Sequence, residues 1–99
     1  MILEIAEFDI IPGKEEAFEE GVKQALPLFK RAKGYRGIAL RRIVEKPSTY
    51  RLFVQWETLE DHTVTFRNSD DFQQWRALVG IYFAGPSRVD HCSTVIDEI

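Results

Sequence analysis

The sequence has few of the features that mark secreted or membrane-spanning proteins. Cys92 is the single cysteine among 99 residues, so no disulfide can form within the chain, and we expect a reducing, cytoplasmic location. No apolar run approaches the roughly 20 residues that cross a bilayer. Residues 1–5 lack the basic and apolar regions of a signal peptide. We therefore expect neither export nor membrane insertion.

Charge and glycine content argue against two further classes of partner. The 13 basic and 16 acidic residues give a net charge of −3 and are interspersed, so no basic surface for nucleic acid is predicted. Residues 11–14 offer one glycine, which is too few for a phosphate cradle. Asp90, His91 and Cys92 would alternate across a strand, and no other histidine or cysteine has a metal-binding spacing. We expect no metal, flavin or haem cofactor.

The composition that remains is that of an ordinary globular domain, with 44% hydrophobic, 12% aromatic and 29% charged residues. We therefore predict one small domain over residues 1–99. Periodicity and turn residues predict the element order β-α-β-β-α-β. The expected elements are a strand over residues 2–11, a helix over 14–32 kinked by Pro27 and capped by Gly34, a strand over 37–45, a turn over 46–49, a strand over 50–56, a helix from Thr58 interrupted near Asn68, and a strand over 88–96.

The second helical region carries the clearest capping signals. Thr58 is a good helix N-cap, and Asp61 three residues later gives an acidic variant of the capping box. The spacing of Leu59, His62 and Phe66 predicts that these side chains face inward. This spacing places an imidazole among apolar neighbours. After the interruption, Ser69 is predicted as a second N-cap, and the apolar face of the following helix is expected to hold Phe72, Trp75, Val79 and Tyr82.

This order is typical of the α+β, ferredoxin-like class, a four-stranded antiparallel sheet with helices on one face. An antiparallel sheet with one wet face alternates apolar and polar residues. Here both faces are apolar: Leu3 and Ile5 oppose Phe8 on the first strand, and Phe53 opposes Val54 on the third. Because two helices cover only one face, we expect the other face to pack on a second copy in a homodimer.

Several of these segments together resemble the antibiotic biosynthesis monooxygenase family of the dimeric α/β-barrel superfamily. The resemblance covers nearly the whole chain. Its motifs are Pro12-Gly13, Gly34-Tyr35-Arg36-Gly37, Gln55-Trp56-Glu57-Thr58, Phe66-Arg67-Asn68-Ser69 and Trp75-Arg76. It implies subunits that pair into a dimeric α/β barrel. Some members resemble cofactor-independent oxygenases acting on quinols or polyketide anthrones, others degrade haem, and many have no known substrate.

The resemblance also allows residue roles to be compared position by position. The haem-degrading branch uses an Asn on the first strand, and a Trp and a His on the second helical segment. At those places this chain has Ala6 or Glu7, Thr65, and Trp75 or Arg76. Haem degradation is therefore not implied. The quinol-oxidising branch often has a His just before the aromatic at position 66, where this chain has Thr65, with His62 one turn earlier.

His62 is the sharpest catalytic candidate in the sequence. An imidazole has an unperturbed pKa near 6.5, so it can accept a proton from a phenol or quinol at neutral pH. In the alternative, His62 hydrogen-bonds a carbonyl or carboxylate and only packs. His91, on the last strand, is predicted to face either the cavity or the dimer interface.

The substrate-binding candidates are aromatic and cationic. Trp56, Phe66, Trp75 and Tyr82 belong to an aromatic set that suits a pocket for a flat ligand, although each ring alone is better explained by core or dimer packing. Arg67 would stabilise an anion or enolate beside the pocket, unless it is a surface ion-pair partner.

Two adjacent arginines on the second strand carry a further expectation. Because Arg41 and Arg42 point to opposite faces, one of them is expected to need a carboxylate partner on a buried side. Glu4, Glu7 and Glu57 are the candidates.

The leading functional hypothesis is a cofactor-independent monooxygenase that acts on an aromatic, quinol or polyketide-type molecule in an apolar cavity between sheet and helices. The protein would desolvate and orient the substrate and remove a proton, with His62 as the base. The alternatives are a non-catalytic dimer that binds an aromatic or lipophilic metabolite, and a purely structural dimer. A cavity without a titrating group would favour the binder, and the lack of any cavity would favour the structural dimer.

Overall fold

The strands of the chain form a single antiparallel sheet in the order β2-β3-β1-β4. A computed structural model describes residues 1–99. Its elements are β1 (Ile2–Asp9), α1 (Glu15–Lys30), β2 (Tyr35–Ile43), β3 (Lys46–Trp56), a π-helical segment (Asp61–Phe66), α2 (Asp70–Val79), a 3₁₀ turn (Gly80–Tyr82) and β4 (Arg88–Ser93). This arrangement confirms the predicted α+β, ferredoxin-like fold. None of the helices is both long and apolar enough to span a membrane.

The core lies between α1, α2 and one face of the sheet. Alternate residues of β1 and β3, including Phe8 and Leu52, are buried on this face. Phe18 and Phe29 of α1 and Trp75 of α2 belong to the same buried cluster. Close approach of the two helices depends on Gly21, because a Cβ there would lie 2.8 Å from the Leu78 carbonyl oxygen. The core thus fixes α2 above the β1 side of the sheet.

The β2–β3 hairpin turns two residues earlier than predicted. The turn falls at Val44 and Glu45, and Ile43 pairs with Lys46. The residues predicted as the turn, 46–49, instead begin β3. A register shift between Arg42 and Ile43 accompanies Pro47, which has no backbone N–H to give to the ladder. The predicted ends of the other elements coincide with the observed ones or differ from them by at most three residues.

The segment after β3 differs most from its predicted form. Thr58 does accept the Asp61 backbone N–H, at 3.1 Å, and Ser69 caps α2 through the Phe72 backbone N–H at 3.2 Å. Residues 61–66, however, are π-helical. His62 and Phe66 are buried as predicted, whereas Leu59 is 39% exposed. The inward orientation predicted for Leu59 is therefore wrong, because it assumed a regular α-helical period.

Gly34 has a different role from the predicted helix cap. The α1 C-cap is Arg31, and Gly34 follows three residues later with φ +81°. A Cβ at Gly34 would lie 2.0 Å from Asp61 Oδ2, and Asp61 is buried. Gly34 therefore makes room for the carboxylate that precedes His62. The Asp61 side chain packs against this glycine and makes no hydrogen bond back to Thr58.

Candidate functional site

A cavity of about 410 Å³ lies on the helix-covered side of β1 and β4, beneath α2 and the loop over residues 83–87. Aromatic rings form much of its wall, namely Phe8, Phe72, Trp75 and Phe83. Its charged and titratable side chains are Glu4, His62, Arg67 and Arg76. The cavity therefore combines flat apolar walls with a small number of convergent polar groups, the pattern typical of small-molecule sites.

Three titratable side chains from different elements meet at one end of this cavity. Glu4 of β1 stands opposite His91 of β4 in the sheet register, and His62 enters from the π-helical segment. The His62 Nδ1 atom lies 2.8 Å from His91 Nε2. The His62 Nε2 atom lies 3.3 Å from Glu4 Oε1. The two imidazoles are thus hydrogen-bonded to each other, and the Glu4 carboxyl group lies in contact with the free side of His62.

Trp56 completes this chain from β3. Its Nε1–H donates to Glu4 Oε1 at 3.0 Å, and its ring stacks on His62 with centroids 5.4 Å apart and planes at 15°. Glu4 is 5% exposed and His62 is 3% exposed. Both groups are thus removed from bulk water and held by specific partners.

Burial shifts the acidity of both groups toward their neutral forms. Burial raises the pKa of Glu4 to about 7, against smaller opposing effects of the Trp56 hydrogen bond and of Arg67. Burial, with Arg67 and His91, lowers the pKa of His62 to about 4. Burial and Arg67 also lower the pKa of His91, while Asp90 opposes this shift. Around neutral pH the Glu4 carboxyl titrates and His62 stays neutral.

Arg67 and Arg76 bring positive charge to the edge of the cavity. Both are exposed, and neither forms an ion pair with a carboxylate of the chain. The Arg76 guanidinium carbon lies 6.0 Å from the centroid of the Phe72 ring. Two unpaired guanidiniums beside a cavity with aromatic walls favour a bound anion or an anion that forms during a reaction.

Of the seven predicted site residues, three line the cavity and four do not. His62, Arg67 and Trp75 line the cavity. Trp56 and Phe66 belong to the buried core, Tyr82 lies outside the cavity wall in the 3₁₀ turn, and His91 reaches the cavity through His62. Trp56 and His91 therefore contact the site from behind, while Phe66 packs beneath it.

Glu4 is the site residue that sequence reasoning assigned elsewhere. It was expected as one possible partner of Arg41 or Arg42, but Arg42 pairs with Glu19 at 2.5 Å. The sequence did contain a signal for the inward position of Glu4. Side chains alternate along a strand, so Glu4 lies on the same apolar face as Ala6 and Phe8. An acid among inward-facing apolar residues needs a partner or a raised pKa.

A larger groove of about 640 Å³ lies between α1 and β2, but its chemistry is poorer. It contains no histidine. Its single carboxylate, Glu19, is engaged by Arg42 and by the Tyr50 hydroxyl. In the cavity beneath α2, by contrast, two titratable side chains, Glu4 and His62, are buried. No group of three His, Cys, Asp or Glu side chains in the chain is arranged to hold a metal ion. The smaller cavity is the better candidate site.

The fold and the cavity define the chain as a ferredoxin-like α+β domain with a candidate site between sheet and helix. Comparison with known families makes this assignment more specific. The sequence profile of the family described as "Antibiotic biosynthesis monooxygenase" matches residues 1–78. The chain belongs to this family, as its motifs had suggested.

Individual relatives agree with this assignment. A crystal structure from Bordetella bronchiseptica, described as a "Putative antibiotic biosynthesis monooxygenase", is 53% identical, with 96% of this chain and 97% of that chain covered and a TM-score of 0.94. An uncharacterized Bacillus subtilis protein, YczJ, is 39% identical over 96% of this chain and 100% of its own length. A Nitrosomonas europaea structure with the same description is 19% identical and has a TM-score of 0.82, with 97% of this chain and 100% of that chain covered. At this identity it supports the fold alone.

Proposed function

We propose that the chain is a cofactor-independent monooxygenase that acts on an aromatic substrate with an acidic hydrogen, such as a quinol or an anthrone. The observation that carries this proposal is the cluster of Glu4, His62 and His91, in contact with one another at the wall of an aromatic cavity. Family membership agrees with it. Removal of a proton is the one step that such a substrate needs from the protein before it can reduce dioxygen.

The reaction balances without a cofactor. In an anthrone, the ring CH₂ group loses a proton to the protein, and the resulting carbanion passes electrons to dioxygen to form a peroxide. The peroxide takes up a proton and loses water, which leaves a carbonyl. One oxygen atom ends in the product and the other in water, and the substrate supplies all the electrons.

The side chains of the cavity suit each requirement of this reaction. Phe72 and Trp75 offer flat faces to an aromatic ring. Arg67 and Arg76 stabilise the developing enolate or phenolate charge. The low exposure of Glu4 and His62 keeps water away from the reacting atoms. The cavity and its titratable groups thus favour an enzyme over a purely structural dimer or a simple binder.

Oxygen uptake tests the proposal directly. The purified protein is mixed with a panel of anthrones and hydroquinones, and dissolved oxygen is recorded together with the mass of the product. We expect one oxygen atom from labelled dioxygen in the product, at a rate well above that of the heat-denatured protein. Tight binding of these compounds without oxygen uptake would instead support the non-catalytic binding protein.

A further inference from the structure

We propose that the carboxylate of Glu4, through Oε2, is the catalytic base, and that Trp56, His62 and His91 are positioning residues for it. This assignment rests on the proposed function for the reaction that follows proton removal. It moves the base from the imidazole that the sequence suggested to a carboxyl group on the neighbouring strand.

Both ring nitrogens of His62 face other titratable groups of the protein. Its Nδ1 atom is 2.8 Å from His91 Nε2, and its Nε2 atom is 3.3 Å from Glu4 Oε1. A neutral imidazole has one donor and one acceptor nitrogen. His91 occupies Nδ1, and Glu4 Oε1 is the nearest acidic group to Nε2, so a substrate would have to compete with the Glu4 carboxyl group for His62.

Glu4, by contrast, has one oxygen engaged and one free. Oε1 accepts from Trp56 Nε1 and faces His62 Nε2, whereas Oε2 makes no hydrogen bond within the chain. No fully buried side-chain oxygen of the protein lacks a partner, so Oε2 must reach open space. Because Glu4 lines the cavity, that open space is where the substrate would lie.

One proton arrangement suits these contacts when Glu4 is ionised. His91 Nε2–H donates to His62 Nδ1, which leaves the other imidazole proton on Nε2, the nitrogen that faces Glu4 Oε1 at 3.3 Å. Oε1 then accepts the Trp56 hydrogen bond and faces this N–H, while a proton can add to Oε2. The carboxyl group can therefore gain and lose a proton on its cavity side without rearranging its partners, which is what a preorganised base requires.

The surroundings of Glu4 give its carboxyl group a pKa that suits a general base. His62 faces it from the π-helical segment, His91 from β4, and Arg67 and Arg76 line the same cavity. Burial is the dominant effect and raises the pKa of Glu4 to about 7. A carboxylate of that basicity removes protons from weak carbon and oxygen acids more effectively than an ordinary, solvated glutamate.

Hydrogen exchange under nitrogen tests the base separately from the oxygen chemistry. Dithranol, a dihydroxyanthrone, is incubated in D₂O with the protein, and deuterium entry at its ring CH₂ is followed by NMR. We expect the native protein to accelerate exchange, and Glu4→Gln to lower the protein-dependent rate by about 10²–10⁴-fold. The native rate should also rise with pH through about 7, because only the ionised carboxylate accepts a proton.

Glu7→Gln is the matched control, since Glu7 lies on the same strand but on the opposite face of the sheet. This variant should accelerate deuterium entry at the dithranol CH₂ group at the native rate. Trp56→Phe removes the hydrogen bond that lowers the pKa of Glu4, so it should move the midpoint of the pH profile upward. Circular dichroism establishes that each variant is folded before its rate is compared.

The possible outcomes separate this proposal from the proposed function. Native-like exchange by Glu4→Gln, or a native midpoint near pH 4 where His62 titrates, would assign the base to His62 instead. No acceleration by the native protein would also overturn the assignment. Rapid, Glu4-dependent exchange without oxygen uptake in air would uphold Glu4 as a base while refuting the monooxygenase.

Discussion

Glu4 and Glu7 lie three residues apart on β1, yet they have opposite environments. Glu4 faces the helices, is 5% exposed and has a pKa raised to about 7 by burial. Glu7 faces the outer side of the sheet, where Arg88 and Arg51 hydrogen-bond it and lower its pKa. The same residue type on the same strand thus becomes a potential base on one face and an ion-pair partner on the other.

The two faces of the sheet differ in the same way as these two residues. The covered face buries apolar side chains around a few polar groups that have specific partners. The outer face carries a charged region around Glu7 and an apolar region of Leu3, Ile5 and Phe53, all only partly buried. Burial on the outer face is therefore incomplete in a single chain, which suits a surface that pairs with a second copy.

Loss of chain pairing should be the largest effect of any change to the outer face. We expect the native protein to be a dimer with twice the 11.5 kDa mass of one chain, measured by light scattering at micromolar concentration. Phe53→Glu should give a folded monomer, because it places a charge in the apolar region of the outer face. Val44→Glu is the control, since Val44 is exposed in the hairpin turn. A monomeric native protein would contradict this prediction.

On the covered face, truncation of Phe66 should cause the largest loss of stability. Its ring lies 5.0 Å from that of Phe29, 5.5 Å from Trp56 and 5.8 Å from Phe72. We expect Phe66→Ala to lower the free energy of unfolding by about 3–5 kcal/mol, measured by urea denaturation. Val64→Ala, an exposed position in the same segment, should cost less than about 0.5 kcal/mol. A cost for Phe66→Ala as small as that control would show that the ring is not packed.

The pH dependence of stability should distinguish Glu4 from Glu7. Folding raises the pKa of Glu4 from 4.5 to about 7, so the folded state binds a proton in this interval that the unfolded state does not. The Glu4 contribution to stability is therefore present below pH 4.5 and is lost as the pH rises toward 7, a change of about 3 kcal/mol. Glutamine does not titrate, so the free energy of unfolding of Glu4→Gln relative to the native protein should rise by this amount between pH 4.5 and 7. Urea titrations at a series of pH values measure this difference.

His62 should oppose this trend in the native protein. Its folded-state pKa is lowered from 6.5 to about 4, so its contribution is present above pH 6.5 and is lost as the pH falls toward 4. The two slopes should nearly cancel where their intervals overlap. Glu4→Gln should then reveal a stability that increases with pH over that range. An unchanged pH dependence in this variant would contradict the raised pKa of Glu4.

Removal of the outer carboxylate should have the smallest effect. Glu7→Gln deletes partly exposed ion pairs with Arg51 and Arg88, and such pairs contribute less than about 1 kcal/mol. Because folding lowers the pKa of Glu7, its contribution should be lost as the pH falls below 4.5, the opposite direction to Glu4. A large loss of stability at neutral pH would show that the two faces are less different than their burial indicates.

The fold could be predicted from the sequence because its signals are local. Alternating apolar residues in β1 and β3, the helical spacing of α1 and the cap at Ser69 each depend on neighbours within a few positions. The hairpin turn at Val44 and the exposed Leu59 were missed. In both cases a local irregularity, the register shift near Pro47 and the π-helical turn, changed which residues faced the core.

The composition, periodicity and motifs of the sequence therefore determined the element order, the ferredoxin-like topology and the inward position of His62. The tertiary structure alone decided what His62 contacts. Glu4, Trp56, His62 and His91 come from four separate elements. The pairing of β1 with β3 and β4, together with the packing of the π-helical segment on Trp56, brings them together. The pKa values follow from the same assembly, because desolvation depends on every element packed around a group and no local sequence pattern encodes it.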